Sequence, residues 1–84
     1  MDNEKVTQLI LKHIEGGFNE IDDGVWKVVF EGREDDDGNI TTPEQDQKEG
    51  WSRFIVENIK ENKTYYVLWD YPSKSILEVN NGRI

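Results

Sequence analysis

The chain contains no cysteine and no alanine. Lack of cysteine excludes disulfides, thiolate metal sites and a cysteine nucleophile, so all 84 residues must fold around one core that nothing staples. Lack of alanine means that any helix depends on tertiary packing more than on intrinsic propensity. There is one histidine, and a lone histidine cannot form a multi-histidine metal site within one chain. Counting Val, Leu, Ile, Phe and Met, no apolar run exceeds three residues, as in Leu9-Ile10-Leu11 and Phe54-Ile55-Val56. Nothing of that length spans a bilayer. Residues 1–20 show no basic stretch leading into an apolar one, so no secretory leader is expected. A soluble, cytoplasmic protein without a membrane partner is the expectation.

Glycine-rich phosphate loops are also missing, because Gly16-Gly17 is not followed by the Lys-Ser/Thr that cradles phosphate. Ser52, Ser73 and Ser75 lie in no nucleophile-elbow pattern, and His13 reads as an edge-of-core residue on a helix. No catalysis and no cofactor are expected.

What the chain does have is acid. Its net charge is −8, and all of it lies between Glu15 and Glu49, where twelve carboxylates face only Lys27, Arg33 and Lys48. Such asymmetry speaks to partners and solubility rather than to fold. Val, Leu, Ile and Phe still supply 22 of the 84 residues, enough for a folded chain rather than a disordered one. One small domain over residues 1–84 is expected.

Val6, Leu9, Ile10, His13 and Ile14 recur at helical spacing over 3–15, with Asn3 or Asp2 as cap and Gly16-Gly17 as terminator. After a turn at Asp22-Asp23-Gly24, Trp26, Val28 and Phe30 alternate with polar residues as a strand. Thr64–Asp70 and Ser75–Asn80 read as strands joined through Tyr71-Pro72-Ser73-Lys74, with Asn81-Gly82 loosening the end. Residues 51–59 fit two patterns. Trp51, Phe54, Ile55 and Ile59 match a helix, and Thr42-Pro43-Glu44-Gln45 is a helix start. Apart from Pro43, residues 43–50 carry no apolar side chain and they end in Gly50, however, and 59–64 resembles a hairpin connection, so a strand is favoured. Residues 33–50 then form a long acidic connection of the kind that is functional or mobile. The fold class is α+β, an N-terminal helix on a three- to four-stranded antiparallel meander.

Arg33 to Glu44 partly fits a calcium loop. Asp35, Asp37, Gly38, Ile40 and Glu44 fall at its third, fifth, sixth, eighth and twelfth positions, but Arg33 puts a cation where the first ligand belongs. A hairpin-type turn at Asp37-Gly38 flanked by solvated acids is favoured, and no metal is expected. Trp51, Tyr65, Tyr66, Trp69 and Tyr71 cluster near Arg53, Lys60, Lys63 and Lys74, as in single-strand nucleic-acid grooves. The acidic remainder repels phosphate, so direct nucleic-acid binding is not expected. Tyr65, Val67 and Trp69 are assigned to the core and Tyr66, Leu68 and Tyr71 to the opposite face, which would then need a covering layer or a partner.

The expected function is a non-catalytic protein-interaction module, of the sort an inhibitor or immunity protein represents, docking on a basic partner. Its expected contacts are Glu34, Asp35, Asp36, Asp37, Glu44, Asp46 and Glu49, with Trp51 or Tyr71 as aromatic anchor. A small-ligand or weak metal-binding domain and a homodimer or other homo-oligomer are the alternatives, and plain solubility explains the acids about as well.

Overall fold

The structure is a computed structural model that describes residues 3–81. Its elements in chain order are α1 (Asn3–Gly16), β1 (Glu20–Ile21), β2 (Trp26–Phe30), α2 (Pro43–Glu49), β3 (Trp51–Asn58), β4 (Lys63–Asp70) and β5 (Ser75–Asn81). The strands form one antiparallel sheet in the order β1-β2-β3-β4-β5. This is the expected α+β meander with one strand more than expected. A second helix, α2, also stands inside residues 33–50, which were expected to be a long connection; the Thr42 cap, Pro43 and the Gly50 terminator suffice to form it. The extra strand, β1, has two residues and thus no alternation to read. It forms because Asp22, Asp23 and Gly24 all adopt positive φ and fold Ile21 back onto Trp26. No helix among the described residues is long and apolar enough to cross a membrane. Asp2 and Gly82, assigned to the first cap and the loosened end, lie outside the described residues.

Residues 51–58 form the expected strand, with Ile59 left exposed in the turn that follows, and the reason lies in their pairing. Ser52, Phe54, Val56 and Asn58 are buried in strict alternation, each opposite a residue of β4. Helical spacing of Trp51, Phe54 and Ile55 loses to this period-two burial. Asn58 closes the following turn by accepting the Glu61 N–H at 2.8 Å, and Asn62 takes the left-handed position at φ 56.

Helix α1 covers one face of the sheet. Its Val6, Leu9 and Ile10 are fully buried and meet Val28, Phe54, Val56, Tyr65, Val67 and Trp69 in a single core. Phe30 and His13 pack edge-on against Phe54, with centroids at 5.8 and 5.7 Å. The Trp69 indole N–H is buried without an acceptor among the described residues. Burying ~200 Å² of ring at ~25 cal/mol/Å² is worth ~5 kcal/mol, which outweighs the roughly 1–3 kcal/mol of that orphaned donor. Two surface ion pairs orient the helix: Lys5 to Asp22 at 2.9 Å and Lys74 to Glu15 at 3.2 Å.

The other face carries Val29, Ile55, Tyr66 and Leu68, and no element among the described residues covers it. Tyr66 and Leu68 thus lie opposite Tyr65, Val67 and Trp69, as their alternation requires. Tyr71 does not join them. It follows the end of β4, where its N–H bonds the Gly50 carbonyl at 2.9 Å, and it packs half-buried against the core.

The two sides of the sheet should respond differently to truncation. Leu9→Ala is expected to cost about 2–5 kcal/mol in urea unfolding, whereas Leu77→Ala, at an exposed position on β5, should stay within about 0.5 kcal/mol.

Candidate functional site

The acidic connection between β2 and β3 is built from three nested pieces. First, Glu31 and Gly32 each donate a backbone N–H to the Arg53 carbonyl, at 2.9 and 3.2 Å, so the chain leaves β2 still attached to β3. Gly32 is buried at φ 78, and a Cβ there would meet Ile40 at 2.8 Å and the Phe30 ring at 3.0 Å. Only glycine fits.

Second, residues 33–41 form a miniature hairpin. Thr41 N–H bonds the Arg33 carbonyl at 2.7 Å, Arg33 N–H bonds the Thr41 hydroxyl at 2.9 Å, and Glu34 and Ile40 form a bridge. Its tip is closed by Asp35, whose Oδ1 accepts the N–H groups of Asp37 and Asn39 at 2.9 and 2.8 Å. This Asx closure, with Gly38 at φ 82, is the turn that Asp37-Gly38 signalled.

Third, α2 begins with the capping box read from Thr42-Pro43-Glu44-Gln45. Gln45 N–H bonds the Thr42 hydroxyl at 3.2 Å, and the Gln45 side chain accepts the Thr42 N–H at 2.8 Å. Gly50 ends the helix at φ 101, donating to the Asp46 carbonyl at 2.8 Å.

Asp46 joins these pieces. Its side chain is 0 % exposed. Oδ1 accepts both Arg33 Nε and Nη2, at 3.2 and 3.0 Å, and Oδ2 accepts the Ser52 hydroxyl at 2.8 Å. Arg33 also lies over the Trp51 ring at 4.1 Å and reaches Glu49 at 3.2 Å. The Tyr71 hydroxyl completes the set. Burial raises its pKa above the ordinary phenol value, a hydrogen bond with Ser52 partly offsets this, and the Asp46 charge raises it further.

This arrangement changes the expected contact set. Asp46 was assigned to a partner-binding surface and is instead buried, because one carboxylate can satisfy Arg33 and Ser52 together. Asp35 is half-buried and bonded to its own loop, and Glu49 is paired with Arg33. Trp51 is half-buried beneath Arg33, and Tyr71 is half-buried against the core; neither is the exposed anchor that was expected. Glu34, Asp36, Asp37 and Glu44 remain exposed, and none has an ion-pair partner among the described residues. Periodicity could not separate these roles, since all seven are carboxylates in a polar stretch. The one available signal was Arg33, a lone cation among acids and therefore the natural partner of whichever acid is buried.

No group of three or more His, Asp or Glu residues converges to hold a metal ion among the described residues. Strand β2 stands where a calcium loop needs its entering helix, and Arg33 at the first ligand position is bound to Asp46. His13 Nδ1 lies 3.0 Å from the Phe18 carbonyl, which can only accept, so Nδ1 is the donor. Beside it, a recess of about 220 Å³ opens between α1, α2 and the sheet, lined by His13, Phe30, Glu44, Phe54 and Tyr71. The chain matches no known protein family, no curated protein and no solved structure.

Two outcomes follow for the anchor. Arg33→Met strands a buried carboxylate and should cost about 3–5 kcal/mol, while Arg33→Met with Asp46→Leu should cost less than the sum of the single changes, read by urea unfolding. Tyr71 holds its proton more tightly folded than unfolded, so its contribution is intact below the ordinary phenol pKa and is lost as pH rises through the higher folded value. The alkaline loss of stability above pH ~10 should therefore be smaller in Tyr71→Phe.

Proposed function

We propose that this protein is a small, non-catalytic interaction module that docks on a basic protein surface through Glu34, Asp36, Asp37 and Glu44. One observation carries the reading: these four carboxylates are exposed and have no ion-pair partner among the described residues, yet stand on a backbone fixed by the Asp35 closure and the Arg33–Asp46 anchor. A solvated acid run kept only for solubility needs no such scaffold. Fixing four charges in advance lowers the ordering cost of binding. It also makes the array selective for a matching set of lysines and arginines, since complementary charge sets on-rate and partner choice more than affinity. With −8 overall, the molecule draws cationic partners from a distance and repels phosphate-rich ones. An inhibitor or immunity protein that covers the basic cleft of an enzyme would use such a surface.

The surface can be tested by replacing its charges without touching the anchor. Glu34→Gln, Asp36→Asn, Asp37→Asn and Glu44→Gln together should leave thermal unfolding nearly unchanged, because none of these carboxylates makes an ion pair among the described residues. Binding to a polylysine-coated sensor should be strong for the native protein at ~20 mM salt, weaken steeply by ~150 mM, and fall sharply in the fourfold variant. Equal binding by the variant and the native protein would show that this cluster is not the contact.

A further inference from the structure

No element among the described residues covers the face of the sheet opposite α1, and the pattern of that face is specific. Cross-strand register places Val29, Ile55 and Tyr66 in one row over β2, β3 and β4, ending at Asn80 on β5. A second row runs Arg53, Leu68, Glu78, with Glu31 attached at the Arg53 carbonyl. Between the rows lies a shallow recess of about 310 Å³, lined by Glu31, Arg53, Tyr66, Leu68, Glu78 and Asn80. Val29 and Tyr66 are 36 and 41 % exposed. Glu31, Glu57 and Glu78 have no ion-pair partner among the described residues.

We infer that this face docks a basic amphipathic helix of a partner protein, its apolar stripe on Val29, Ile55, Tyr66 and Leu68 and its lysines or arginines toward Glu31, Glu57 and Glu78. The inference deepens the reading of the acidic hairpin as a site for a basic partner and rests on it, since Glu31 leads directly into that hairpin. Three physical points select this occupant. An apolar row of this kind gains by being covered, and a helix is what covers the equivalent rows on the other side. Four strands ~4.8 Å apart present ~19 Å, the length of a helix of about 13 residues, and α1 itself has 14. Charge then chooses among helices. On this face Glu31, Glu57 and Glu78 outnumber Lys27 and Arg53, none of the three acids has an ion-pair partner among the described residues, and the chain carries −8. A second copy, an acidic helix or an anionic lipid surface therefore meets repulsion where a basic helix meets attraction.

The test titrates three synthetic 14-residue peptides into the full chain and follows backbone amide NMR shifts. One is a Leu/Lys amphipathic helix, one a Leu/Glu helix with the same apolar stripe, and one a Lys/Ser peptide with the same cations and no stripe. The Leu/Lys peptide is expected to shift Val29, Ile55, Tyr66 and Leu68 as well as residues 34–37. Val29→Thr with Tyr66→Thr should weaken it about tenfold or more, and Glu31→Gln with Glu78→Gln, which leaves the apolar row intact, should also weaken it. Lys/Ser should shift only 34–37 and Glu44. If Leu/Lys shifts only those same acidic residues, the face is not its site and this inference fails while the acidic-hairpin reading stands. If neither cationic peptide shifts anything, both readings fail. Equal binding of the Leu/Glu helix, or face shifts that appear on concentrating the protein alone, would also overturn the inference, the latter in favour of a second copy.

Discussion

The carboxylate of Asp46 is the point on which the irregular half of this molecule depends. A charge with no exposed surface is tolerable only where it is paired and hydrogen-bonded, and here Arg33 pairs with Oδ1 while Ser52 bonds Oδ2. The two partners come from opposite ends of the connection: Arg33 follows β2, and Ser52 lies on β3. One side chain therefore closes a loop of almost twenty residues onto the sheet. The guanidinium suits this role because its planar fork can bind Oδ1 through two nitrogens, reach Glu49, and still stack on Trp51. Such a pair is not needed for raw stability, since apolar residues of similar size often serve as well. What it supplies is position, because a carboxylate accepts from these donors in only one placement of α2.

That placement separates the acids into two populations. Asp35, Asp46 and Glu49 hold the connection together, whereas Glu34, Asp36, Asp37 and Glu44 face solvent with no ion-pair partner among the described residues. Compositionally the seven are alike. An acidic stretch that looks like a solvated tether in sequence is therefore a folded platform with its charges in fixed relation. The sheet extends the same logic: α1 covers one face, and the other keeps an apolar row edged by Glu31, Glu57 and Glu78, which have no ion-pair partner among the described residues. Both unpartnered features lie toward one end of β2 and β3, where Glu31 connects them.

The regular half of the fold was legible because its signals are periodic. Val6, Leu9 and Ile10 mark the buried side of α1, and Trp26, Val28 and Phe30 alternate as a strand must. Residues 59–64 marked the β3–β4 turn, and Thr42 to Gln45 carried a helix start, although the polar stretch after it was read as a long connection. Ambiguity arose where a short segment satisfied two periods, as at Trp51, Phe54 and Ile55. Strand pairing with β4 decided it, and that is a long-range property. The two-residue β1 left no trace beyond its turn. For the site, residue type was read correctly as acidic, but burial was not. Burial of Asp46 follows from a contact between residues 13 positions apart, which no local pattern encodes.

Backbone amide hydrogen exchange across residues 33–50 tests the central claim most directly. If Arg33 and Asp46 fix the connection, the N–H groups of Thr41 and Gly50, both hydrogen-bonded in this structure, should be protected in the native chain. In Arg33→Met they should lose that protection while Val56 and Val67 at the centre of the sheet keep theirs. Exchange of Thr41 and Gly50 in the native protein at the rate of an unfolded chain would contradict the account.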